Sequence, residues 1–62
     1  MLNIGDRVLD IKNINNLNIS QIRNKAGIIT AINNERASVD FNGQIIELPV
    51  FELIKLSLVI KN

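Results

Sequence analysis

The groups able to do chemistry in this chain are few, and their types exclude most of it. There is no cysteine and no histidine among the 62 residues. The strongest side-chain nucleophile and the commonest general base are therefore absent. Ser20, Ser38 and Ser57 have no imidazole to activate them. The six carboxylates, Asp6, Asp10, Glu35, Asp40, Glu47 and Glu52, are spread along the chain. Asp40 and Glu47 fall on opposite arms of one expected hairpin, diagonal to each other on its outer face. A solvated strand face explains that pair more simply than acid–base work. The three glycines are isolated and serve turns and a strand start, so no phosphate-cradling loop is present. A zinc site of nitrogen and sulfur ligands is excluded. These residues describe a chain that is not an enzyme and that carries neither cofactor nor metal.

The binding chemistry is also narrow. Phe41 and Phe51 are the only aromatic residues. A groove for proline-rich peptides, a methyl-lysine cage or a base-stacking platform each needs more than that. Both phenylalanines are expected in the core. The net charge is +1, which gives no strong pull toward nucleic acid or membrane. Lys12, Arg23, Lys25 and Arg36 are the cations expected to gather near one end and contact phosphates, if nucleic acid is the partner.

A chain of this length forms one domain, residues 1–62, and buries only ~60% of the surface its unfolded form exposes. With no disulfides, stability rests on packing, helped by self-association. Absence of cysteine fits a reducing cytoplasm, which is the expected location. Met1 is followed by polar Asn3 and Asp6, so no signal peptide is expected. No apolar run approaches the ~20 residues of a membrane span.

The elements that must position these groups are strands. Arg36 to Pro49 reads as a hairpin closed by Asn42-Gly43, a pair suited to the positive φ angles of a type I′ turn. This turn sets Phe41 opposite Gln44, Val39 opposite Ile46 and Ala37 opposite Leu48. Ser38, Asp40, Ile45 and Glu47 then share the other face. Both arms thus place their large apolar groups on one side, apart from Ile45. Val8 to Ile11 reads as a first strand after the Gly5-Asp6 turn. Lys12 to Ala26 is a long connection, rich in Asn yet holding Ile14, Leu17, Ile19 and Ile22. It is expected to fold back on the core, with Asn18 or Ser20 capping a helical turn near Gln21. Gly27 to Asn33 is the second strand. Both of its faces are largely apolar, which requires burial on both sides or a bulge. Asn33-Asn34-Glu35 makes the next turn. Pro49 ends the hairpin, Pro49 to Leu53 suits one 3₁₀ turn with Val50 or Phe51 and Leu53 inward, and Ile54 to Ile60 reads as a last strand, with Lys61-Asn62 fraying.

This order is all-β: five short strands, a long first loop and one 3₁₀ turn before the last strand. It resembles the small five-stranded SH3-like barrel. The resemblance is carried by Gly5-Asp6-Arg7-Val8, Lys25-Ala26-Gly27-Ile28-Ile29 and Pro49-Val50-Phe51-Glu52-Leu53. Within it, Lys25-x-Gly27-x-Ile29-x-x-Ile32 looks like the core of the KOW motif of ribosomal and transcription-associated barrels. The same start and end look like the plasmid-type dihydrofolate reductase. That family's Val-Gln-Ile-Tyr run is replaced here by Ile45-Ile46-Glu47-Leu48, so the activity does not transfer.

Two functions compete. The first is a small non-catalytic protein-interaction or accessory module, binding another protein or itself through apolar strand faces. Ile29, Ile45 and Glu47 are its interface residues, because so small a barrel has too little interior for every apolar side chain. The second, implied by the KOW-like segment, is nucleic-acid binding in transcription or translation.

Overall fold

A computed structural model describes residues 1–13 and 18–59. Its described part is mostly β. The strands are β1 (Arg7–Asp10), β2 (Gly27–Asn33), β3 (Arg36–Phe41), β4 (Gln44–Pro49) and β5 (Leu53–Lys55). They form one antiparallel sheet in the order β4-β3-β2-β1-β5. Two short helices, α1 (Ile19–Asn24) and α2 (Leu56–Val59), and two 3₁₀ turns, Ile11–Asn13 and Val50–Glu52, complete the chain order.

The β3–β4 hairpin has the register its turn dictates. Phe41 faces Gln44, Val39 faces Ile46 and Ala37 faces Leu48. Asn42 and Gly43 both take positive φ, 57° and 100°. Asp40 adds a second lock, since its Oδ1 accepts the Gly43 N–H at 2.6 Å.

The two apolar faces of β2 are explained by a bulge. The pairing with β3 shifts between Ile29 and Ala31, so Thr30 is the inserted residue and its hydroxyl donates to the Ser38 carbonyl at 3.3 Å. Before the bulge Ile29 faces Val39; after it Ile32 faces Ala37. The extra residue lets Ile29 and Ile32 share the inner face, which simple alternation forbids. Ile29 is therefore core, only 1% exposed, and is removed from the expected interface.

The core is small. Val8, Ile29, Ala37, Val39 and Leu53 form its buried cluster, and Leu2, Phe41, Leu48 and Val50 pack against it. Leu9, on the opposite face of β1 from Val8, is also buried, so the strand between β2 and β5 is covered on both sides. Gly27 begins β2 where a side chain has no room. A Cβ there would lie 2.5 Å from Val39 Cγ1 and 2.8 Å from the Phe41 ring.

Three expectations need correction. The last strand is only three residues long, and the chain turns into α2 at Leu56. Its partner β1 explains this: Lys55 already faces Val8, and β1 begins one residue earlier at Arg7. With the ladder exhausted, helical bonds are the available way to satisfy the next backbone groups. Phe51 is not core but 79% exposed. In the tight 3₁₀ turn Val50 packs inward and Glu52 is buried, which leaves Phe51 directed to solvent. The first strand also starts one residue earlier than expected, at Arg7. Of the cap candidates, Asn18 does the work: its side chain accepts the Gln21 N–H while the Gln21 side chain accepts the Asn18 N–H, both at 2.9 Å. The expected inward packing of Ile14 and Leu17, Ile60 as the end of the last strand and the Lys61-Asn62 terminus lie outside the described residues.

Candidate functional site

Strand alternation and register place one charged–apolar row across the outer face of the sheet. Arg7 on β1 pairs with Ile28 on β2, Ile28 with Asp40 on β3, and Asp40 with Ile45 on β4. Cross-strand partners share a face, so Ile28 and Ile45 flank the Asp40 carboxylate. Both isoleucines reach solvent, Ile45 at 63% and Ile28 at 40% exposure. The next row is Ala31, Ser38 and Glu47, and the row after it Asn33, Arg36 and Pro49.

Among the described residues β4 is an edge strand, hydrogen-bonded only to β3. In a hairpin closed by a two-residue turn, the pair flanking the turn bonds inward and the pattern then alternates. Gln44, Ile46 and Leu48 therefore direct their main-chain groups to β3, while Ile45 and Glu47 direct theirs outward. The free edge thus presents main-chain donors and acceptors beside the exposed Ile45 side chain. Ile46, on the inner face, is itself 39% exposed. The devices that usually blunt an edge are sparse: Pro49 ends the strand, and Glu47 is its only charge.

The ionised groups sort into engaged and unengaged. Lys12 Nζ lies 2.8 Å from Glu52 Oε1, joining the two 3₁₀ turns. The hydrogen bond to Glu52, and secondarily its negative charge, hold the Lys12 pKa above the ordinary lysine value. Arg36 Nε lies 2.9 Å from Glu47 Oε1, and Lys55 Nζ lies 3.5 Å from Asp6 Oδ2. Among the described residues Arg7, Arg23 and Lys25 form no ion pair. Asp40 and Glu47 do not act as a carboxylate pair: one holds the Gly43 turn and the other holds Arg36.

The four cations expected to gather are dispersed: Arg23 and Lys25 lie two residues apart at the end of α1 but line different depressions. Lys12 is tied to Glu52 and Arg36 to Glu47. Arg23 instead shares two surface depressions with Arg7, which the sequence did not single out. The signal that could have found Arg7 is the β1–β2 register, which cannot be read without knowing where the long connection returns. Glu47 and Ile45 are exposed on the edge strand.

Among the described residues no group of three potential ligands is placed to hold a metal ion, and no helix is long and apolar enough to cross a membrane. Compared with known protein families, characterised proteins and solved structures, the chain matches none.

Proposed function

We propose that this chain is a small non-catalytic interaction module, built as an SH3-like barrel, that associates with a second copy of itself along the free edge of β4. The strand order, the long first connection and the 3₁₀ turn before β5 support the fold reading. The observation that carries the function is Ile45, 63% exposed on a strand whose outer edge has no partner among the described residues.

A second copy is favoured because the edge is self-complementary in one register. Antiparallel edges about a twofold axis at Ile46 bring Ile45 of each copy opposite Glu47 of the other. These are the residues whose main-chain groups point outward; the Glu47 carbonyl also accepts from its own Arg36 Nη2 at 3.5 Å, which leaves a second lone pair, so each pair exchanges hydrogen bonds. The two Ile46 side chains then meet on the inner face. An axis at Glu47 would oppose two carboxylates directly, which is unfavourable. An axis at Ile45 would set Glu47 against Gly43, whose N–H is already taken by Asp40. Glu47 keeps Arg36 as its counter-ion, so its charge is matched at the contact. Nucleic-acid binding has less support, because two of its four expected cations are held in ion pairs. A cytoplasmic location accords with the absence of cysteine.

Sedimentation velocity over a range of concentrations tests the reading. The chain should form dimers as concentration rises. Ile45→Glu should remain monomeric, because it sets a second carboxylate directly opposite Glu47 of the other copy. Glu47→Pro should do the same by removing an outward N–H. A chain that stays monomeric into the millimolar range overturns the proposal.

A further inference from the structure

We propose that the depression walled by Arg7, Arg23 and Lys55 binds one compact oxyanion, the phosphate monoester of a small molecule. This site is separate from the β4 edge and does not depend on self-association.

Its walls come from three parts of the chain. Asp6 and Arg7 open β1, Arg23 lies in the last turn of α1, and Lys55, Leu56 and Ser57 span the junction of β5 and α2. They enclose about 450 Å³. Three cations there face a single carboxylate, leaving an excess of two positive charges. That carboxylate is already occupied: Asp6 Oδ2 accepts the Asn3 N–H at 2.7 Å and lies 3.5 Å from Lys55 Nζ. The two guanidinium groups are different. Among the described residues neither donates a hydrogen bond or forms an ion pair, unlike that of Arg36.

The charge excess selects the ligand. A phosphate monoester carries about −1.5 to −2 at neutral pH and offers three strong acceptor oxygens, whereas a carboxylate supplies a single charge and two oxygens. Guanidinium forks suit phosphate oxygens in a bidentate arrangement. The Ser57 hydroxyl adds a neutral donor at the rim. A second depression, about 520 Å³, shares Arg7 and Arg23 and continues past Asn24, Ile28 and Asn42. It offers the amides of Asn24 and Asn42 and two apolar side chains, Ala26 and Ile28, to the organic part of the ligand. Its carboxylate, Asp40, is held by the Gly43 N–H. A polyanion is less suited, because the remaining described cations do not extend the site into a track. Lys12 and Arg36 are paired, and Lys25 lines another depression beside Phe41, Ile46 and Leu48.

The test is a titration of the ¹⁵N-labelled chain, followed by NMR, with inorganic phosphate, ribose 5-phosphate and, as a monoanion control, acetate. Saturable shifts confined to the amides of Arg7, Arg23, Lys55 and Ser57 and to the two arginine Nε–H groups are expected. Ribose 5-phosphate should bind more tightly than inorganic phosphate and add shifts at Asn24 and Ile28. Arg7→Gln and Arg23→Gln should each weaken binding at least ~10-fold, as expected for loss of a hydrogen bond to a charged group. Arg23→Lys should fall between, keeping charge but losing the fork. Lys25→Gln and Arg36→Gln should bind as the parent does. Absence of saturation, equal weakening by Lys25→Gln or Arg36→Gln, or acetate binding as tightly as phosphate would each overturn the proposal.

Discussion

Two glycines show how one residue type meets opposite demands. At Gly43 the space is open but the backbone is not: φ is +100°, with no atom within 4 Å of a Cβ. Gly43→Val should cost about 1–3 kcal/mol through backbone strain alone. At Gly27 the limit is space, because a Cβ would strike Val39 and Phe41. Gly27→Ala should cost about 1–3 kcal/mol as overpacking. Chemical denaturation of both variants measures this, and a neutral Gly27→Ala would mean that β2 and β3 do not approach as closely as described. The need for Gly43 was legible from Asn42-Gly43 between two apolar arms. The need for Gly27 was legible only as a strand start, since the residues that crowd it, Val39 and Phe41, come more than ten positions later. Phe51 is the converse case. Strand alternation in the hairpin directs Phe41 inward, but no such pattern orients Phe51, and the 3₁₀ turn that exposes it is a matter of which neighbour packs inward.

At the scale of elements, short pieces are held by local bonds where packing is thin. α1 has only six residues, and its start is fixed by the reciprocal Asn18–Gln21 bonds. Asn18→Ala should cost about 1 kcal/mol, and Asn18→Asp should retain most of the stability, both by thermal melting. The two 3₁₀ turns are joined by Lys12 and the buried carboxylate of Glu52. Because Lys12 has its pKa raised in the folded state, this pair stabilises fully below the ordinary lysine pKa. The contribution is lost as pH rises through the raised value. The melting temperature of the parent should therefore exceed that of Lys12→Met at neutral pH, and the two should converge in strong alkali. A constant difference would assign the effect to packing of the lysine stem instead. Elements with a local signal were legible: the hairpin, the helical turn at Gln21 and the span of β2. α2 was not, because Leu56-Ser57-Leu58-Val59 alternates like a strand. Its fate is set by β1 running out of partners, which is tertiary information.

The whole molecule divides its apolar residues unequally between a small interior and an exposed remainder. Ile29→Ala, in the buried cluster, should cost about 2–5 kcal/mol, enough to unfold a marginal domain. Phe51→Ala should change stability by no more than about 0.5 kcal/mol. Such a molecule gains if two copies share an edge, and that gain has a thermodynamic signature. A partner that binds only the folded state raises apparent stability by mass action, so the melting temperature climbs with protein concentration. The parent chain should show that climb. Ile45→Glu should melt at one temperature throughout, close to the parent at high dilution, because Ile45 is exposed in the monomer and its replacement removes no core contact. If Ile45→Glu instead melts far below the dilute parent, Ile45 is covered within the monomer. If the parent itself shows no climb, β4 is an edge that stays unpaired and the self-association reading fails.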